Sequence, residues 1–160
     1  MIVSINKIVD IKKKNPKKTL AVSGGVFDIV HDGHIEYLKK IYKVNQILVM
    51  CVPSDEFIRS RKGPERPIQN AKVRAKVLDN MKQVDFTLLV NPKSKHAYPL
   101  VETVLKIAPN IFYVGEDSYE KIKVYKKDFN EKKIKLVVVK IKKINNSTDI
   151  INKIKGFVNK

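Results

Sequence analysis

Five short, predominantly apolar runs recur along this chain, and they restrict its fold more than any other feature. They lie at 19–23, 46–52, 86–90, 111–114 and 136–141. A strand with one wet face alternates apolar and polar residues; a strand that is apolar at every position is covered on both faces. Helical patterns fill the gaps. Ile35, Leu38, Ile41 and Tyr42 mark a helix over 33–43, and Val73, Val77, Leu78 and Met81 point inward from one over 70–81. Residues 98–107 read as a helix, 118–130 as a weakly patterned one, and 147–158 as a last helix with Ile150, Ile151, Ile154 and Val158 on its core face. Residues 2–14 form an amphipathic helix through Ile5, Ile8, Val9 and Ile11, stopped by Asn15-Pro16. Ser54-Asp55-Glu56 cap a short helix through Ile58, and 60–68, with Gly63, Pro64 and Pro67, reads as a loop.

Continuous strands that alternate with helices predict an α/β fold: a Rossmann-like, doubly wound, five-stranded parallel sheet with helices on both faces. At 160 residues the chain reads as a single domain over 1–160, its first helix (1–15) packed on the rest. No apolar run approaches a membrane span, and charges interrupt the N-terminal stretch where a signal peptide would need continuity. The expected address is therefore cytoplasmic. The one cysteine, Cys51, lies inside an apolar run and reads as a core residue, which excludes a disulfide framework or a cysteine-rich zinc site.

The net charge of +17 invites a nucleic-acid reading. The two cations are distributed differently, however. Lysines are spread along the chain, whereas all four arginines, Arg59, Arg61, Arg66 and Arg74, fall in one segment. A guanidinium is a planar fork suited to phosphate oxygens, so the cluster marks a binding segment. No aromatic-interleaved basic strand, helix-turn-helix signature or zinc pattern accompanies the charge. A basic nucleic-acid-binding module is thus the distant alternative, and no specific nucleic acid is expected as a partner.

The chemistry concentrates after the first run. Gly24-Gly25-Val26-Phe27-Asp28 leads to His31-Asp32-Gly33-His34, where a strand hands over to a helix. Unpaired N–H groups and a positive dipole at a helix N-terminus suit phosphate, and the glycines allow close approach. Asp32 is placed to cap the helix; otherwise its charge repels a triphosphate or helps hold a metal. Asp28 either contributes to a metal or fixes the loop.

With these residues, the chain resembles the cytidylyltransferase-like nucleotidyltransferases, through Gly25-Val26-Phe27-Asp28 followed by His31-x-Gly33-His34. The resemblance continues through Lys62-Gly63-x-x-Arg66-Pro67 with Arg74 on the next helix, Pro109-Asn110-Ile111 to Gly115-Glu116-Asp117, and Asn146-Ser147-Thr148 opening the last helix. It covers about residues 5–155. Within the family it is nearest to the nucleotidyltransferase domains of ADP-heptose synthases, then to glycerol-3-phosphate cytidylyltransferases and archaeal FAD synthetases. Three departures stand out, the first being Asp32 between the histidine and the glycine. Asn146 replaces the usual serine, and Lys142-Lys143 stand where the glycerol-3-phosphate enzymes carry an arginine.

The resemblance implies transfer of AMP or CMP from a nucleoside triphosphate to a phosphorylated small molecule, a sugar phosphate first, with release of pyrophosphate. Glycerol-3-phosphate cytidylyl transfer and FAD synthesis are the alternatives. It implies His31, His34, Lys62 and Arg74 as catalytic residues. Gly25, Val26, Phe27, Asp28, Gly33, Arg66, Gly115, Asp117, Asn146, Ser147 and Thr148 would bind the nucleotide. Mg²⁺ would arrive on the nucleotide and be held mainly by its phosphates, with Asp28 as a candidate protein ligand. A homodimer is implied, and no membrane partner. The attacking oxygen belongs to an ionised phosphate, so positioning and electrostatics carry the reaction and no general base is required.

Overall fold

A computed structural model of the chain describes residues 1–91, 98, 100–142 and 146–158. Pro92, His96 and Lys143 lie outside the described residues, as does the side chain of Val158. The centre is a parallel sheet of six strands: β1 (Ile2–Val3), β2 (Thr19–Gly24), β3 (Gln46–Pro53), β4 (Phe86–Val90), β5 (Ile111–Gly115) and β6 (Lys135–Val139), in the order β1-β4-β3-β2-β5-β6. The α/β, Rossmann-like class holds, with six strands where five were expected. The extra strand comes from the first residues of the anticipated N-terminal helix. Ile2 and Val3 pair with Thr87 and Leu88, a two-residue edge too short to leave a pattern. Helix α1 then runs Ile5–Lys14, capped by Ser4, which accepts from Lys7 N at 3.3 Å.

Successive side chains of a strand point to opposite faces, and here both faces are dry. Leu20, Val22, Val49, Cys51 and Phe112 join Ile8, Val104 and Phe129 in one core. Ala21, Leu48 and Met50 join Leu38, Ile41, Ala75 and Leu78 in the other. The first core lies under α1, α5 (Val101–Ile107) and α7 (Lys126–Glu131); the second lies under α2 (Asp32–Ile41) and α4 (Ala71–Asp79). Burial pushes the Cys51 thiol up to about 12, as suits a packing residue.

Other helices depart from expectation for local reasons. Helix α3 (Asp55–Lys62) carries its N-cap at Ser54 and continues past Ile58, so Lys62 ends a helix rather than sitting in a loop. Helix α4 turns Arg74, Ala75 and Leu78 inward, and Val73 is exposed. The stretch expected as one helix over 118–130 is broken into α6 (Tyr119–Ile122), α7 and two single turns. Ile122, Tyr125 and Phe129 nevertheless keep the i, i+3, i+7 spacing of one helical face and turn it to the same core. Helix α8 (Ser147–Val158) leaves Ile154 exposed. Among the described residues no helix is long and apolar enough to cross a membrane.

The order places β2 at the switch point. The chain leaves β2 for β3 and β4 on one side, then crosses back to β5 and β6 on the other. The crevice beyond the carboxyl ends of such strands is where α/β sheets bind ligands.

Candidate active site

The site begins where β2 ends. A Cβ on Gly24 would lie 2.5 Å from the Cys51 carbonyl oxygen and 2.6 Å from Leu100 Cδ1, so only glycine lets β2 stay against β3 here. A Cβ on Gly25 would press the Phe27 ring at 3.0 Å. Phe27 itself adopts φ +49°, a left-handed conformation that is costly for a bulky residue. The chain then reaches His31, which is extended at φ −143° and forms the N-cap of α2. Asp32 is therefore not the cap: the His31 carbonyl accepts from His34 N at 2.9 Å, which puts Asp32 in the first helical turn, where its carboxylate faces solvent.

The His31 imidazole makes no capping bond. One turn on, the His34 ring stacks on it with centroids 3.9 Å apart at 33°, and the Phe27 ring also packs on His34, at 4.7 Å. Burial, aided by repulsion from His31 once acid protonates it and from Lys62, pushes His34 down to about 4. Burial also lowers His31, against an upward pull from Asp32. Both rings are neutral at physiological pH. Nδ1 of each is buried and lacks a hydrogen-bond partner among the described residues, as does Nη2 of Arg66. Buried polar atoms without partners are costly, and at a crevice they mark where a ligand's oxygens fit.

Lys62 joins this group electrostatically. Burial and the Arg66 charge lower its pKa, and Asp28 and Asp117 pull the other way. Gly63 follows at φ +92°, its N–H returning to the Arg59 carbonyl at 3.0 Å, so α3 stops and the chain turns toward Arg66. Arg66 Nε donates to Asp28 Oδ2 at 2.8 Å. Asp28 also accepts from Ile68 N at 3.0 Å and Gln69 N at 2.9 Å. Burial raises the Asp28 carboxyl, but the bonds from Gln69, Ile68 and Arg66 outweigh it and hold it below the usual range. Asp28 thus fixes the loop. Its fully buried carboxylate is committed to three donors, so the candidate metal-ligand role does not fit. Among the described residues no three His, Cys, Asp or Glu side chains converge on a cation position.

Arg74 is the clearest correction. The resemblance implies it as a catalytic residue, on the substrate phosphate or the triphosphate, but it is 0% exposed. Its guanidinium donates to the carbonyls of Gln69 (2.9 Å), Val26 (2.7 Å) and Pro53 (2.7 Å) and to Asp55 Oδ1 (2.7 Å). Four acceptors from four segments occupy it, and it reaches no open space.

Across the crevice, Gly115 ends β5, and a Cβ there would lie 2.8 Å from Asp117 Oδ1, so glycine allows the tight turn. Asn146 caps α8: its Oδ1 accepts from Asp149 N at 2.9 Å and its carbonyl accepts from Ile150 N at 3.2 Å. Ser147 Oγ donates to the Ile29 carbonyl at 3.2 Å, which docks the start of α8 beside the histidine loop, and Thr148 is exposed. The structure therefore brings together the first, second and last motifs, with Asp117 within electrostatic reach of Lys62. Two participants carried no signal in the sequence: Gln69, whose amide bonds the Asp28 carbonyl, and Asp55, the carboxylate paired with Arg74.

Residues 22–157 match the family described as Cytidylyltransferase-like. The chain belongs to that family. It is a nucleotidyltransferase by that membership, and the family binds a nucleoside triphosphate and a phosphorylated substrate. The FAD synthase of Thermococcus sibiricus is 35% identical over 125 residues, which is 78% of this chain and 81% of that one. The bifunctional protein HldE of Campylobacter fetus is 32% identical over 155 residues, 97% of this chain but 31% of HldE. Among solved structures, the lipopolysaccharide core biosynthesis protein of Thermoplasma volcanium superposes with a TM-score of 0.62 at 28% identity, over 79% of this chain and 98% of its own. Pantothenate synthetase of Thermus thermophilus, at 13% identity and TM-score 0.62 over 89% of this chain and 62% of its own, shares the fold.

Proposed function

We propose that this enzyme transfers an adenylyl group from ATP to the phosphate of a small metabolite. An oxygen of the acceptor phosphate forms a bond to the α-phosphorus, the bond from that phosphorus to the bridging oxygen of the β-phosphate breaks, and pyrophosphate leaves. The nucleophile is already ionised, so no side chain has to remove a proton. The observation that carries the reading is the convergence of a stacked pair of neutral histidines, Lys62 and Arg66 at the end of β2, with three buried polar atoms unmatched. Neutral imidazoles donate to phosphate oxygens, and Lys62 and Arg66 offset charge that spreads onto the α- and β-phosphates. Gly115 and Asp117 are assigned to the nucleoside, and Ser147 and Thr148, at the start of α8, to the departing phosphates. Mg²⁺ enters bound to the triphosphate, and its phosphate oxygens hold it.

A sugar phosphate is the first acceptor, supported by the likeness to HldE along nearly the whole of this chain. Flavin mononucleotide is the second, supported by the match to FAD synthase over most of both chains. The adenylyl group within FAD favours ATP over CTP as donor. A homodimer in the cytoplasm belongs to the same reading, and sedimentation would measure the assembly.

The test is thermal stabilisation by ATP, CTP, GTP and UTP, each with Mg²⁺ at physiological salt. A ligand at 100 times its Kd adds about 2.7 kcal/mol to native stability. A shift selective for ATP and lost in His31→Ala supports the site, and pyrophosphate release with sugar phosphates or flavin mononucleotide then identifies the acceptor. Small equal shifts with all four that vanish at high salt would mean that lysines merely attract anions.

A further inference from the structure

The strained residue of the site, Phe27, is clamped from both sides. Before it, the Val26 carbonyl accepts from Arg74 Nη1 at 2.7 Å. After it, the Asp28 carbonyl accepts from the Gln69 side-chain amide at 2.5 Å, and the Asp28 carboxylate takes its three donors. The ring closes because Arg74 Nε donates to the Gln69 carbonyl at 2.9 Å. Gln69 thus spends its N–H, its carbonyl and its side-chain amide on one network, and it touches both Asp28 and Arg74. Residues in such conformations persist where their surroundings over-determine them. The Phe27 ring lies close to both Gly25 and the His34 ring, and it is 3% exposed.

We infer that Gln69 is a positioning residue: its side-chain amide holds the Asp28 carbonyl, keeps Phe27 left-handed, and so fixes the place and dry surroundings of the His34 imidazole. Gln69 has no part in the chemistry. Its effect on turnover rests on the nucleotidyl-transfer reading above, whereas its effect on His34 does not.

The variant is Gln69→Met, which keeps length and apolar bulk but removes the donor. The first readout is NMR of the His34 ring, which Phe27 shifts by its ring current. In the variant the His34 resonances should move toward those of a free histidine, and the titration midpoint should rise from about 4 toward 6.5. The second readout is kinetic: kcat should fall ~10- to 100-fold with KM for the nucleotide little changed, because a misplaced donor is felt in the transition state. A folded Gln69→Met with the wild-type His34 spectrum overturns the inference. Should that variant not fold, Gln69→Asn, whose amide is one carbon short, gives the same reading: shifted His34 resonances support the inference and unchanged ones overturn it. A wild-type enzyme without nucleotidyl transfer would refute the proposed function, and the spectrum would still decide the role of Gln69.

Discussion

The loop that carries Arg66 and the helix that carries Arg74 lie next to one another in sequence, and each buries a guanidinium against a carboxylate. Arg66 pairs with Asp28 and Arg74 with Asp55. The resemblance ends there. Arg66 keeps Nη2 unmatched beside Lys62, whereas Arg74 is engaged by four acceptors. One arginine is arranged for something that is still to come, and the other is already satisfied. In the proposed reading the first side of the network addresses a ligand, and the second holds in register the loop, the end of β3 and the start of α3.

The largest effect expected is on the scaffold side. Arg74→Ala strips partners from Asp55 and three carbonyls, and breaking a buried pair costs ~3–5 kcal/mol. Urea denaturation would measure it, and Arg74→Lys should rescue little, since one ammonium cannot span those acceptors. Full stability with lost nucleotide affinity would reverse the comparison. On the ligand side, Arg66→Gln should weaken nucleotide binding by ~10- to 100-fold, the loss of a charged donor worth about 1.5–3 kcal/mol. Asp28 would keep its two backbone donors, so the fold should suffer less than in Arg74→Ala. Calorimetric titration compares the two variants directly.

Acid sharpens the contrast further. His34 is held at about 4, below its ordinary 6.5, so the unfolded chain takes up the proton first. Its neutral form contributes fully above pH 6.5, and stability is lost as pH falls toward 4, at up to ~1.4 kcal/mol per pH unit. His34→Gln should flatten that slope. Asp28, held below its ordinary 3.8, adds its own loss only in stronger acid. The smallest effect belongs to the exposed pair of Lys155 with Glu65, 2.6 Å apart, which links α8 to the Arg66 loop. Lys155→Ala should leave the melting temperature unchanged, because solvent screens such pairs. A weakened nucleotide affinity in that variant would instead make α8 an active clamp on the loop.

The arrangement of the site was legible wherever the signal was local. A run of apolar residues in β3, a Gly-Gly before a histidine pair, and an Asn-Ser-Thr before an amphipathic helix each announce themselves within a dozen residues. The face of α4 was not legible, since Val73 and Arg74 are neighbours and ordinary hydrophobicity favours burying the valine. What buries Arg74 is a set of carbonyls supplied by β3 and by the loops that carry Val26 and Gln69. The edge strand β1 was missed because two residues carry no period.

By itself, then, the sequence determined the doubly covered parallel sheet, the place of the histidine pair at its centre, and the family to which the chain belongs. These follow from periodicity and from short motifs, which depend on neighbours a few positions away. Only the tertiary structure decided which polar residues are satisfied within the protein and which keep an unmatched atom at the crevice. Asp28 meets donors about 40 residues along the chain, and Arg74 meets the Val26 carbonyl 48 residues back. A side chain's role in such a network is set by which acceptors and donors folding leaves within three ångströms of it, and no local pattern records that.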